Sequence, residues 1–244
     1  SFILEEGLAL RDLKRIVASM GSAARAAGVP VVAGDTKVVE RGKGDGVFIQ
    51  TTGLGLRPAG VEVSGRLAQP GDHILVSGTL GDHGVAVMSK RESLSFVTDL
   101  ESDTAALHTL IARVMDAGGA GIHTMRDPTR GGLATALNEI AQQSSVGAVI
   151  RERDIPIKPQ VVAACEWLGL DPLYVANEGK VMVVCSPQVS DAVLKAMQAH
   201  PLGHDAAIVG EIVSDDQCFV ELITPLGGRR VVGWLTGDPL PRIC

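Results

Sequence analysis

Five short stretches of this 244-residue chain carry residue types that could do chemistry. The last runs from Thr236 to Cys244 (TGDPLPRIC), so the final side chain is a thiol. A thiolate is a nucleophile and can hold a transferable group. Pro239 and Pro241 fix φ and lack a donor, so the segment is expected to be extended and poorly bonded to any sheet. At full extension its nine residues reach about 30 Å. That is enough to swing Cys244 from solvent into a pocket on its own or a neighbouring subunit. The plain alternative is an ordinary chain end. A prenylation signal is excluded, because its cysteine lies four residues from the end.

The other four stretches are internal. Gly34-Asp35-Thr36-Lys37 puts a carboxylate and an ammonium two residues apart. A carboxylate is a hard oxygen ligand suited to Mg²⁺, and Lys can act as a point charge on phosphate. From these four residues alone, a turn with a solvated ion pair explains as much. Gly81-Asp82-His83-Gly84 lies between an apolar run and a helix. Backbone N–H groups at a helix start attract anions, yet Gly and Asp also serve plain turn geometry; both readings stay open. Asp127-Pro128-Thr129-Arg130-Gly131-Gly132 opens another helix. Arg130 could grip a phosphate while Gly131 and Gly132 let backbone approach it, and this combination favours anion binding over a tight loop. Asn177-Glu178-Gly179-Lys180 precedes a strand. Glu178 could act as a base if partly buried, and the alternative is a β-turn. There is no GxxxxGK[ST] and no GxGxxG opening a helix after a strand, so any nucleotide site is neither a P-loop nor a Rossmann fingerprint.

Elements must position these groups. Leu13, Ile16, Val17, Met20 and Ala24 form a helical stripe between residues 8 and 27, stopped by Gly28 and Pro30. Residues 29–39 read as strand, loop, strand, and residues 46–56 as a further strand with a glycine-rich exit. The Pro- and Gly-rich run 57–72 is a candidate domain boundary. Beyond it, residues 73–77 read as a strand and a helix follows the GDHG turn to about residue 90. Helices are also expected near 107–117, after Gly132, and near 161–168. Ser186-Pro187 is a cap and N1 proline for a helix to about residue 199. Strands are expected at 181–185, 207–213, 218–223 and 230–235. This mixture of strands and helices is α+β, or mixed α/β.

Composition narrows the function further. The net charge is −6, aromatic residues make up 3%, and no basic cluster is evident, which argues against nucleic-acid binding. No apolar run approaches the length of a membrane span. Cys165, Cys185 and Cys218 sit in apolar surroundings and read as inert core thiols. With no CxxC motif, the cysteine usage fits a reducing compartment, hence the cytoplasm.

Together, GDTKVV (34–39), SGTLGDHG (77–84), DPTRGGL (127–133), ANEGK (176–180) and the terminal PRIC (241–244) resemble the HypE family of NiFe-hydrogenase maturation proteins. That family lies in the PurM-like ATP-binding superfamily, beside aminoimidazole ribonucleotide synthetase, selenophosphate synthetase and thiamine-phosphate kinase. The resemblance spans nearly the whole chain, and PRIC is its specific part. It implies a two-domain PurM-like fold. Residues 1–60 would be the remainder of an ATP-binding, dimerising domain, 61–235 the second domain, and 236–244 a mobile tail. It implies that Cys244 accepts a carbamoyl group from a HypF-like carbamoyltransferase. ATP-dependent dehydration would then give a thiocyanate, whose cyanide passes to iron on a HypC–HypD complex. By the same resemblance Asp35, with Thr36 beside it, would serve Mg²⁺ and phosphate. Lys37 would lie near the reacting phosphate, and Glu178, beside Asn177, would be a base with a pKa raised by desolvation. The GDHG and TRGG turns (Gly81, Asp82, His83, Gly84; Thr129, Arg130, Gly131, Gly132) would meet nucleotide phosphates. Family members begin about 90 residues earlier, a length within ordinary domain sizes. The chain as given is therefore expected to bind ATP weakly or not at all, although the full protein would be an ATPase, and its homodimer to want strands it lacks. The competing expectations are a small-molecule kinase or synthetase of the same superfamily, and a non-catalytic maturation scaffold.

Overall fold

Apolar residues every three to four positions form a helix over Leu10–Ala27 (α1), and Gly28 ends it in the left-handed conformation at φ 67°. In this computed structural model, which describes residues 1–91 and 100–236, the chain divides into two compact units, Ser1–Ala59 and Gly60–Cys244.

The first unit holds α1 and three short strands: Phe2–Glu5 (β1), Thr36–Val39 (β2) and Val47–Ile49 (β3). They form one sheet in the order β2-β1-β3, with β1 parallel to β2 and antiparallel to β3. Glu5 ties the sheet to the loop that follows β2. Its carboxylate accepts the N–H groups of Gly42 (2.6 Å) and Gly46 (3.1 Å). The expected first strand at 29–33 does not form. Pro30 offers no donor, and Val29, Val31 and Val32 stay exposed. The partner of β2 is instead the N-terminal tetrapeptide. None of α1's residues is fully buried: Leu13, Ile16, Met20 and Ala24 of its apolar stripe are half-buried and Val17 is exposed.

The second unit is built on a seven-stranded sheet. Its strands are His73–Val76 (β4), Ile122–Arg126 (β5), Gly147–Arg151 (β6), Met182–Cys185 (β7), Ala207–Val213 (β8), Val220–Ile223 (β9) and Arg229–Val231 (β10), in the order β10-β9-β6-β8-β4-β7-β5. The helices are Asp82–Arg91 (α2), His108–Gly118 (α3), Gly132–Ser144 (α4), Pro159–Leu168 (α5) and Pro187–Gln198 (α6). Side chains alternate across the sheet. Ile74, Val76, Met182 and Val184 face one core cluster with Leu133, Leu137 and Ile140 of α4. Leu75, Val183 and Cys185 face the other, with Leu110 and Val114 of α3 and Val193 and Met197 of α6. Covered on both faces, β4 and β7 read in sequence as continuous apolar runs rather than alternating ones. A third cluster packs Val85 and Met88 of α2 on Val161, Ala164 and Cys165 of α5.

The strand directions decide where the motifs meet. Both β4 and β5 run antiparallel to β7, and Met182 at the start of β7 pairs with Val76 at the end of β4 and with Arg126 at the end of β5. The loops leaving β4 and β5 and the loop entering β7 therefore share one end of the sheet. No helix among the described residues is long and apolar enough to cross a membrane.

Candidate functional site

Asn177 is the point on which the second unit's motifs converge. It is 1% exposed. Its Oδ1 accepts the Gly81 N–H (2.7 Å), and its Nδ2 donates to the carbonyls of Pro128 (2.9 Å) and Val175 (3.0 Å). One buried amide thus joins the GDHG, DPTRGG and ANEGK segments, which lie about 50 and 100 residues apart along the chain. Its amide oxygen and nitrogen are both engaged inside the fold.

The glycines around it are set by packing. Gly81 has φ +84°, and a Cβ there would sit 2.7 Å from Val161 Cγ1. At Gly84 a Cβ would run into Val175, and at Gly132 (φ +59°) into the carbonyl oxygens of Leu173 and Val175. The Gly84 N–H donates to the Ala176 carbonyl (3.1 Å). The N–H donors of Gly81 and Gly84 are therefore occupied within the protein. Gly131 (φ +69°) sits at the start of α4, Thr129 Oγ1 donates to Asp127 Oδ2 (2.8 Å), and Arg130 is exposed beside them.

Asp82, the first residue of α2, is buried. Its Oδ2 accepts the Thr79 hydroxyl (2.6 Å) and the Lys158 ammonium (2.8 Å), while Oδ1 is buried without a hydrogen-bond partner. His83 Nδ1 lies 2.8 Å from Ser102 Oγ. Asp103, next in the chain, reaches the ANEGK turn. Its Oδ1 accepts the Glu178 N–H (3.0 Å) and its Oδ2 pairs with Lys180 Nζ (3.0 Å). Asp103 and Lys180 are 3% and 11% exposed at the side chain. Gly179 lies against the Asp103 carbonyl so closely that no Cβ fits. Glu178 itself is half-buried.

Ser77, Thr79, Asp82, Asp103, Lys158 and Lys180 are among the residues that line a polar cleft of about 430 Å³. A smaller apolar hollow of about 220 Å³ lies between Leu170, Tyr174, Val175 and Trp234, where the described chain ends. Sequence reasoning missed Asp103 and Lys158. The available signal for Asp103 was a carboxylate between Ser102 and Thr104 just ahead of a helix. Lys158 precedes a helix-starting proline and carried no motif.

Asp35, Thr36 and Lys37 belong to the first unit. Asp35 Oδ1 accepts the Thr36 N–H (2.8 Å), and Lys37 is exposed on β2 opposite Ile3. Cys244 lies outside the described residues. No group of three or more His, Cys, Asp or Glu that could hold a metal occurs among the described residues. Of the other thiols, burial, with Asp171 adding to it, pushes Cys165 up to about 11. Burial, with Asp72 adding to it, pushes Cys185 up to about 12. Both are the inert core thiols expected.

Comparison with known proteins matches residues 1–57 to the N-terminal domain and 69–223 to the C-terminal domain of AIR synthase related proteins. The carbamoyl dehydratase HypE of Rhizobium leguminosarum bv. viciae is 61% identical over all 244 residues, which span 70% of that protein. The chain belongs to the HypE family. This is a family of carbamoyl dehydratases, enzymes of hydrogenase maturation, with a PurM-like fold. A HypE hydrogenase maturation protein in complex with ATP superposes with a TM-score of 0.94 at 46% identity, over 100% of this chain and 73% of that one. A HypE–HypF complex contains a chain that matches with a TM-score of 0.91 at 49% identity, over 95% of this chain and 75% of its own length.

Proposed function

We propose that this HypE-family chain carries a carbamoyl group on Cys244 and dehydrates it to a thiocyanate with ATP, using Glu178 as the base. The observation that carries this reading is the convergence on Asn177. One buried junction ties Asn177, the residue before Glu178, to the Pro128 carbonyl just ahead of the TRGG turn. Thr129, Arg130, Gly131 and Gly132 are the phosphate-facing group in this reading, since a helix start with a nearby guanidinium favours an anion. Gly81 and Gly84 hold the turn, and Asp82 and His83 anchor it to Lys158 and Ser102.

An amide oxygen is a poor leaving group. Attack of the carbamoyl oxygen on the γ-phosphorus of ATP releases ADP and makes that oxygen a phosphate ester. O-phosphorylation leaves a protonated imidate, which loses its first N–H proton to water; Glu178 then accepts the second as the C–O bond breaks, phosphate departs and C≡N forms. Lys37 steadies negative charge on the transferring phosphoryl group, since such transfer depends mainly on positioning and charge neutralisation. Asp35 is exposed and accepts the Thr36 N–H through Oδ1, and an exposed carboxylate fits a Mg²⁺ that takes one or two carboxylates and finds its remaining ligands on phosphates and water. When bound, that ion would supply charge neutralisation.

The HypE–HypF and HypE–ATP structures support a HypF-like carbamoyl donor and ATP as substrates. A HypC–HypD complex as cyanide acceptor, a homodimer and a cytoplasmic location complete the proposal. So does the division into residues 1–60, 61–235 and a carrier tail at 236–244. Mass measurement of the protein after incubation with the carbamoyl donor system and ATP tests it. The C-terminal peptide should gain about 43 Da and then hold about 25 Da as water leaves. Cys244→Ala should abolish both; a variant that still forms thiocyanate overturns the reading.

A further inference from the structure

The residue that fixes Glu178 in place comes from another part of the chain. Asp103 lies in the irregular segment ahead of α3, 75 residues from Glu178 in sequence. It touches all three residues of the turn: Oδ1 accepts the Glu178 N–H, the main-chain carbonyl closes over Gly179, and Oδ2 holds the Lys180 ammonium. Gly179 and Lys180 follow Glu178, and Asn177 before it is tied to Gly81, Pro128 and Val175, so the Glu178 backbone is held from both sides. A buried carboxylate at 3% exposure is costly unless it is paired and hydrogen-bonded. Here each oxygen has one partner, and both partners are on the same turn. Ser102 and Thr104 bond to each other on either side of it, and Ser102 meets His83 of α2. The acidic side chain is thus held from its own segment as well.

We propose that Asp103 is a positioning residue for the dehydration step, setting the reach of the Glu178 carboxylate through the 178–180 backbone while Lys180 neutralises its charge. This rests on the reading of Glu178 as the base. Asp103 makes no contact with the reacting atoms in this scheme, so its loss should slow proton removal and leave ATP use intact.

The test uses protein carbamoylated on Cys244, with conversion to thiocyanate followed by mass at varied ATP. Asp103→Leu combined with Lys180→Met removes the acceptor without leaving a lone buried charge. It should slow conversion about 30-fold, the scale of a sub-ångström to one-ångström misplacement of a base, with the KM for ATP within about twofold. In the Glu178→Gln background the same pair should slow the residual turnover less than about twofold, since it acts only through Glu178. Asp103→Glu keeps the charge on Lys180 and folds even if the apolar pair does not. By moving the acceptor one methylene it should cost about tenfold and likewise vanish in the Glu178→Gln background. Conversion at the parent rate by both Asp103 variants, or equal slowing with and without Glu178, overturns the inference. Parent-rate conversion by Glu178→Gln alone would instead overturn the assignment of the base, and the inference with it.

Discussion

At the scale of single residues, the second unit depends on buried polar groups that each serve several partners. Asn177 is the extreme case. Asn177→Ala would strand the Gly81 N–H and remove a donor from two carbonyls, at a cost of about 2–3 kcal/mol. Chemical denaturation should show a lower midpoint at an unchanged slope. Thiols supply a second prediction at this scale. With pKa values pushed up to about 11 and about 12 by burial, Cys165 and Cys185 should resist iodoacetamide at pH 8 in the native state and react only in denaturant. That leaves carbamoyl transfer free of competition from the core. Glu5 gives a pH dependence. The N–H groups of Gly42 and Gly46, and then Arg41, hold its carboxyl below the ordinary range, while partial burial opposes them. A group whose folded pKa is depressed contributes fully above its unfolded pKa, and loses that contribution as pH falls through the folded one. Acid titration should therefore show a destabilising step as pH falls below the ordinary glutamate range. Glu5→Gln should remove it.

At the scale of elements, close backbone approach leaves no room for a Cβ at Gly81, Gly84 and Gly132. Gly132→Ala would impose a strained φ and press Cβ into the carbonyls of Leu173, in a short 3-10 turn, and Val175, which caps it, both of them buried residues. A loss of about 3 kcal/mol in unfolding free energy is expected, read by thermal denaturation. The same element scale shows what could be read in the sequence. Helices α1 to α6 were legible because their apolar spacing is regular and glycine or proline marks most of their ends. Strand β1 was not, since four residues at the chain start carry no flanking punctuation. Strand β6 follows α4 after only two residues, and its GAVIR run continues the helix's apolar character. Strand β5 was hidden by His123 and Thr124, polar residues that the interior tolerates because His123 bonds Asp72 (2.7 Å) and Thr124 bonds the Ser64 carbonyl (2.8 Å). The candidate site was half legible. The loops were visible as motifs, but their meeting on Asn177 follows from β4 and β5 both lying antiparallel to β7. A linear reading does not contain that. Asp103 was invisible for the same reason.

At the scale of the whole molecule, the two units differ sharply in how much they bury. The second has three apolar clusters, with a dozen large side chains almost wholly removed from water, while Leu4 is the one buried apolar residue of the first unit. Each fully buried aliphatic side chain is worth about 1.5–3 kcal/mol, so the second unit holds most of the stability. Native-state hydrogen exchange should find the β1–β3 amides opening at much lower free energy than those of β4 and β7. Equal protection in both sheets would contradict this.

The central claim is that the second unit's fold exists, in functional terms, to present one carboxylate to a group carried on the chain's own last residue. A single-turnover mass trace on the Glu178→Gln protein, loaded with carbamoyl on Cys244 and mixed with ATP, addresses it most directly. The account predicts that the C-terminal peptide stays about 43 Da heavy while the parent protein falls to about 25 Da. Loss of water from the variant at the parent rate would contradict it.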